Sequence, residues 1–110
     1  MHAFRSGREI VEFAPAARAE FDAAADRYEL ERPDRGQRFY AAVERAVKLI
    51  AAFPAAGPAF PDIPPERGVR RRIVRSFPFV LAYRVLGDTI RIDAVAHMRR
   101  RPGYWRRRVR

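Results

Sequence analysis

The residues of this sequence that are best suited to chemistry lie close together near its C-terminus. His97 is followed by an arginine run at positions 99–101 and by the aromatic pair Tyr104-Trp105. Guanidinium groups pair with phosphate oxygens in a bidentate geometry, and aromatic faces stack on bases. The combination predicts recognition of phosphate. The alternative is a solvated basic tail that Trp105 anchors by packing.

Cleavage of RNA without a metal ion requires three kinds of group. A base takes the proton of the 2′-hydroxyl, an acid protonates the leaving 5′-oxygen, and cations hold the negative charge that builds on the phosphate. His97 is the only histidine outside the N-terminal tail, so it is the candidate base, the alternative being a hydrogen-bonded histidine at a strand end. The cationic candidates are all arginines: Arg72, Arg75, Arg84, Arg99, Arg100 and Arg101.

Other kinds of site are excluded or disfavoured by the composition. The chain has no cysteine, which removes thiolate metal sites, disulfides and thiol nucleophiles. Asp93 and His97 invite a shared metal ion, but four residues of strand separate them by about 13 Å. We therefore expect neither a metal nor a cofactor.

Charge is distributed unevenly along the chain. The net charge is +10, with −2 on residues 1–66 and +12 on residues 67–110. A strongly basic second half predicts a polyanion or an acidic protein as the partner. The length fits one domain over residues 1–110, with residues 1–8 and 106–110 expected to be flexible tails. No apolar run approaches the roughly 20 residues of a membrane span, and we expect a cytoplasmic protein.

Two amphipathic helices are predicted in the first half. Pro15 is well placed in a first helical turn, and an apolar stripe continues to Tyr28, so the first helix should span about residues 15–31. Asp34 and Gln37 resemble a capping box for a second helix. The apolar stripe of that helix consists of Phe39, Val43, Val47, Ile50 and Phe53. The short break between the helices predicts an αα-hairpin.

The remaining segments predict a small sheet. A β-prone run at residues 9–13 precedes the helices, and three strands follow the proline-rich connector 54–68. Phe60 and Ile63 are expected to anchor this connector to the body of the protein. Short turns between the three strands indicate an antiparallel meander. The predicted fold is α+β with the order β-α-α-β-β-β: a two-helix hairpin packed on one face of a small, mostly antiparallel sheet whose other face is basic.

Four stretches of the sequence stand out together: residues 75–85 (RSFPFVLAYRV), residues 97–105 (HMRRRPGYW), the start of the first helix and the FPAAG at 53–57. In combination they resemble the RelE/ParE superfamily of bacterial toxins. The resemblance covers roughly residues 9–108 and implies a toxin of a type II toxin-antitoxin module with the RelE/ParE fold. It implies a cognate antitoxin as partner, which we expect to bind through an acidic or amphipathic segment.

The resemblance leaves two mechanisms open. RelE-like toxins cut mRNA in the ribosomal A site, and ParE-like toxins inhibit DNA gyrase without hydrolysing RNA. Tyr104 matches the position at which RelE-like nucleases place a C-terminal tyrosine, and the surrounding cations are expected to lower its pKa. The catalytic set would then be His97, Tyr104 and Arg84, with Arg72, Arg75 and the arginines at 99–101 binding phosphate.

The expected convergence of these residues at one strand end favours ribosome-dependent mRNA cleavage slightly over gyrase inhibition. The RelE-like enzymes use lysines heavily in their sites, whereas the single lysine here, Lys48, lies in a helix. A basic nucleic-acid-binding module without toxicity is the third possibility.

Overall fold

A computed structural model describes residues 3–6, 9–101 and 103–109, with side chains for residues 10–101 and 103–109. Within these residues, five strands and two helices form the fold, together with single 3-10 turns at Pro65–Arg67 and Arg106–Val109. The elements in chain order are β1 (Ala3–Ser6), β2 (Glu9–Phe13), α1 (Pro15–Glu31), α2 (Arg35–Ala52), β3 (Arg70–Val74), β4 (Phe79–Leu86) and β5 (Thr89–His97).

The sheet has the strand order β1-β2-β5-β4-β3. All neighbours are antiparallel except β2 and β5, which run parallel. The predicted β-α-α-β-β-β order and the antiparallel meander are confirmed. Of the two segments expected to be tails, residues 1–8 contain β1 and residues 106–110 contain the buried Val109.

The two helices cover one face of the sheet and enclose the main core. Ala17, Phe21 and Ala24 of α1 are buried there, as are the apolar residues of the α2 stripe up to Ile50. Phe53 was predicted to continue this stripe, but its side chain is 61% exposed. The reason is that α2 ends at Ala52, and the φ of −137° at Phe53 turns the chain out of the helix.

The start of α2 is held by the preceding helix. The Glu29 carboxylate accepts hydrogen bonds from the backbone N–H groups of Asp34 (3.2 Å) and Gly36 (3.0 Å). Asp34 itself has a φ of 70° and makes no side-chain cap, so the predicted capping box is wrong. An acceptor seven residues upstream satisfies the free N–H groups instead.

A β-bulge changes which residues of β5 face the helices. Ala82 of β4 pairs with Ala94, whereas Tyr83 pairs with Ile92, so Asp93 is the extra residue. Strict alternation placed Val95 and His97 on the face opposite to Ile92. The bulge moves both to the helix side, opposite Leu81 and Phe79.

A second, smaller core covers much of the opposite sheet face. Its buried members are Ile63, Val69, Ala82, Ala94, Ala96, Trp105 and Val109, and Phe60 packs against them. The Trp105 and Phe60 rings meet edge to face at 4.7 Å, so Trp105 is a packing anchor and Phe60 and Ile63 hold the connector as predicted. The expected open basic face is therefore largely closed by the chain's own tail and connector.

Candidate functional site

His97 ends β5 at the rim between the sheet and α1. Its ring lies edge to face against Phe79 at 5.0 Å between centroids. The Nδ1 atom accepts a hydrogen bond of 3.0 Å from the backbone N–H of Arg99. One ring nitrogen is thus engaged in holding the turn after β5, which matches the alternative of a hydrogen-bonded histidine at a strand end.

Tyr104 lies near His97 and is bound to helix α1. Its hydroxyl donates a hydrogen bond to the carboxylate of Glu20. The Arg100 guanidinium stacks 3.8 Å from the Tyr104 ring centroid. Glu20 also accepts from the backbone N–H of Val95 (3.1 Å) and from Arg108 (2.9 Å). Tyr104 is therefore one of several groups that anchor the C-terminal segment to α1.

This environment changes the acidity of Tyr104. Burial, followed by the hydrogen bond and the negative charge of Glu20, raises the pKa of the phenol well above its ordinary value, although Arg100 and Arg108 act in the opposite direction. The prediction that neighbouring cations would lower this pKa is wrong, because burial and the hydrogen bond to the Glu20 carboxylate outweigh the effect of the cations.

Arg84 is bound to a buried carboxylate. Its Nε and Nη2 atoms donate to the two oxygens of Asp93 at 2.8 and 2.9 Å, and the Asp93 side chain is 0% exposed. The hydrogen bond to Asp93 raises the pKa of Arg84. Arg91 reaches the same carboxylate at 3.7 Å. The pair fixes the β-bulge and supplies the charge balance that a buried Asp93 requires.

The three candidate catalytic residues do not converge. His97 pairs with Phe79 across the sheet, whereas Arg84 pairs with Arg91. Arg84 is five positions along β4 from Phe79, the partner of His97, which is a distance of about 17 Å. Because five is an odd number of strand positions, Arg84 and His97 lie on opposite faces of the sheet. His97 and Tyr104 share a rim groove of about 350 Å³ with Arg100, and Arg84 lies outside it.

The arginines predicted to bind phosphate are also dispersed. Arg72 lies on β3 opposite Leu81, and its buried Nε has no hydrogen-bond partner. Arg99 and Arg101 are exposed after β5, and Arg100 stacks on Tyr104. Pro102, which follows these arginines in the sequence, is outside the described residues. Arg75 lies elsewhere, in the turn between β3 and β4.

Arg75 belongs to a groove that the sequence reasoning missed. The groove is about 410 Å³ and its arginines are Arg32, Arg35, Arg38, Arg45 and Arg75, accompanied by Ser76 and Phe77. Four of the five come from the half of the chain with a net negative charge. Their spacing of three and seven residues on α2 places them on one side of the helix, which is the signal that could have found them.

Among the described residues, no group of three or more His, Cys, Asp or Glu side chains is placed to hold a metal ion. In the part of the chain that the structure describes, no helix is long and apolar enough to cross a membrane.

Comparison with known proteins identifies the family. The model of the ParE toxin of the type II toxin-antitoxin system, parDE, matches residues 11–102. A solved structure described as the chromosomal ParDE TA system from P. aeruginosa aligns with a TM-score of 0.67 and 25% sequence identity, covering 79% of this chain and 92% of that chain. No curated protein matches the sequence. Because the family model covers most of the chain, including both helices and the meander, this protein belongs to the ParE toxins of type II toxin-antitoxin systems.

Proposed function

We propose that this toxin arrests growth by binding DNA gyrase and that it does not cleave RNA. The supporting observation is that two members of the candidate catalytic set are engaged elsewhere. Tyr104 is bound to Glu20 with its pKa raised, and Arg84 is paired with Asp93 on the opposite sheet face from His97. His97, Tyr104 and Arg100 share one groove, but Arg84 is not part of it.

Inhibition by binding is compatible with such an arrangement. General acid-base catalysis needs groups that exchange protons near neutral pH and lie within hydrogen-bond reach of the reacting atoms. A binding toxin needs only a stable, complementary surface. The contacts of Tyr104 and Arg84 suit such a role, since each polar group is held by a partner on another element.

Two conservative variants test the mechanism. His97→Gln removes the imidazole and Tyr104→Phe removes only the hydroxyl, with Tyr40→Phe on α2 as the matched control. We expect all three to arrest growth like the parent chain and to cause cleaved DNA to accumulate. With purified gyrase, each of the three variants should inhibit DNA supercoiling at about the same concentration as the parent chain.

The opposite mechanism gives a different result. Mapping of 5′ ends on a defined mRNA, with and without ribosomes, detects cleavage at translated codons. Cuts that require ribosomes and disappear in His97→Gln, while Tyr40→Phe keeps them, would overturn the gyrase proposal in favour of mRNA cleavage. Absence of growth arrest by the parent chain would favour the third possibility, a non-toxic basic module.

Membership of the family implies an antitoxin partner. We infer that it binds through a segment that is acidic or amphipathic, because the toxin carries a net charge of +10 and exposes Leu49 and Phe53 at the end of α2. Co-expression with the adjacent antitoxin gene should restore growth, and Phe53→Ser should weaken copurification. Unchanged copurification of Phe53→Ser would remove α2 from the antitoxin interface.

A further inference from the structure

The five-arginine groove, defined by Arg32, Arg35, Arg38, Arg45 and Arg75, has almost no internal charge compensation. Only Arg35 has a carboxylate within 4.0 Å among the described residues, that of Glu31 at 3.8 Å, and both side chains are substantially exposed. Such exposed ion pairs contribute little free energy, so Glu31 neutralises the charge of Arg35 only weakly. The groove therefore presents a concentrated positive field to an incoming anion.

The groove is assembled from three parts of the fold. Arg32 lies in the turn between the helices, Arg75 lies in the β3–β4 turn with Ser76, and the other three arginines lie along α2. Arg35 is held in place by stacking on Tyr28, with its guanidinium 5.0 Å from the ring centroid, and its Nε has no hydrogen-bond partner. Donors fixed by their own fold lose little freedom when they bind.

The density of charge indicates which polyanion fits. Arg35 and Arg45 are ten residues apart, which is about 15 Å of helix. Together with Arg32 and Arg75 the groove holds five positive charges. Over a similar length of helix axis, one strand of duplex DNA carries about four phosphates, one for roughly each 3.4 Å. An extended acidic peptide presents carboxylates on one face only about every 7 Å. The groove matches a nucleic-acid strand better than a protein segment.

We propose that the five-arginine groove binds the phosphodiester backbone of a nucleic acid, without reading its sequence. Guanidinium forks pair with phosphate oxygens bidentately, and the Ser76 hydroxyl is a further donor at the groove wall. This function goes beyond gyrase inhibition, because the groove contacts nucleic acid whether or not a protein target is present. It also lies apart from His97 and Tyr104, which line a different groove.

The test measures binding of the full chain to a labelled DNA duplex of about 20 base pairs, or two helical turns, by fluorescence anisotropy over a range of salt concentrations. The variant Arg38→Gln/Arg45→Gln removes two charges from the groove. The matched control, Lys48→Gln/Arg107→Gln, removes two exposed charges outside it, one of them on the same helix. Circular dichroism checks that both variants remain folded.

We expect the groove variant to bind the duplex at least about tenfold more weakly and to lower the slope of log K against log salt by about 1.8. The control should keep most of the affinity, and two unrelated duplex sequences should behave alike. Equal losses in both variants, or no loss in the groove variant, would overturn the proposal in favour of diffuse charge attraction.

Two further arms identify the source of the anion. Tighter binding of polyglutamate than of the duplex, lost only in the groove variant, would overturn the nucleic-acid assignment in favour of an acidic protein. Displacement of the duplex by a nucleoside triphosphate at equal phosphate concentration would overturn it in favour of a free nucleotide. Neither gyrase nor ribosomes are present in the assay. A failure of the groove proposal is therefore distinguishable from a failure of the proposed gyrase inhibition.

Discussion

The carboxylate of Glu20 determines where the C-terminal segment lies. It stands beside the part of β5 that has no strand neighbour on the β2 side, where it accepts the free N–H of Val95. The same carboxylate binds Tyr104 and Arg108, which brings the tail across the sheet edge. A residue that resembles a catalytic tyrosine by its position is thereby used for anchoring.

Replacing Glu20 should destabilise the fold. Glu20→Ala leaves the half-buried Tyr104 hydroxyl, the Arg108 guanidinium and the Val95 N–H without their acceptor, so we expect a loss of about 2–4 kcal/mol in the free energy of unfolding. Urea denaturation measures the change. Asp22→Ala, which removes the exposed partner of the partly buried Arg18 on the same helix, should cost less than about 0.5 kcal/mol. Equal effects of the two substitutions would contradict the role of Glu20.

The raised pKa of Tyr104 predicts a loss of stability in alkali. The folded chain holds the phenol proton more tightly than the unfolded chain, so the contribution is complete below the unfolded pKa of about 10 and is lost as the pH rises above it. Each such group contributes a slope of up to about 1.4 kcal/mol per pH unit. Tyr104→Phe should make the fall between about pH 10 and pH 12 shallower.

The slope should not vanish in Tyr104→Phe, because burial also raises the pKa of Tyr83 and of Tyr28. Urea unfolding at several pH values, with Tyr40→Phe as control, measures the slopes. An unchanged slope in Tyr104→Phe would show that its phenol titrates alike in the folded and unfolded chains.

Periodicity predicted the helices and the meander but not the contacts that join them. The bounds of α1 and the buried stripe of α2 follow from apolar residues at spacings of three and four, which is local information. The β-bulge at Asp93 depends on a bidentate contact with Arg84, and the cap of α2 depends on Glu29 of the other helix. Such features arise from tertiary pairing, so the alternation of β5 beyond Ile92 could not be predicted correctly.

Gly36 allows the two helices of the hairpin to approach closely. A Cβ atom at this position would lie 2.7 Å from the backbone oxygen of Ala25 and 2.9 Å from the Cβ of Glu29. In an unhindered helix, Gly→Ala would stabilise by about 0.5–1 kcal/mol. Here the overlap is with backbone and should cost about 1–3 kcal/mol, so Gly36→Ala is expected to be destabilising on balance.

Thermal denaturation of Gly36→Ala tests this expectation. Gln37→Ala is the matched control, since it adds a strong helix former at the neighbouring, exposed position and should change stability by less than about 0.5 kcal/mol. A gain in stability for Gly36→Ala would mean that α1 and α2 separate at little cost, and the close packing of the hairpin would be contradicted.

The candidate site was only partly predictable because charge in this molecule is organised in three dimensions. The +12 net charge on residues 67–110 predicted a basic C-terminal half, and Arg75, a phosphate-binding candidate from that half, lines the five-arginine groove. Its role in binding phosphate stays a prediction. The other groove arginines lie in a segment whose acids, such as Asp22 and Glu29, project elsewhere. The net charge of a sequence segment adds up side chains that the fold places on different faces. It therefore does not reveal a local cluster of arginines.

The two cores should unfold as one unit. They lie on opposite faces of the same strands, β4 and β5, and Glu20 joins the tail of the second core to the helix of the first. Trp105 is the only tryptophan and is 1% exposed within the second core, whereas both helices pack on the first. Its fluorescence and the far-ultraviolet circular dichroism of the helices therefore report on different cores, and their urea transitions should coincide.

Trp105 should also stabilise the first core, which it does not enter. Trp105→Ala removes the largest side chain of the second core and should cost about 3–5 kcal/mol, lowering the urea midpoint that circular dichroism measures for the helices. Met98→Ala is the control, because Met98 is an exposed apolar residue directly after β5. This substitution should leave that midpoint nearly unchanged. If Trp105→Ala leaves the helical transition in place, or if the parent's fluorescence changes at lower urea than its circular dichroism, the tail detaches independently. The sheet would then couple the two cores weakly, and the contacts of Glu20 would be too weak to hold them together.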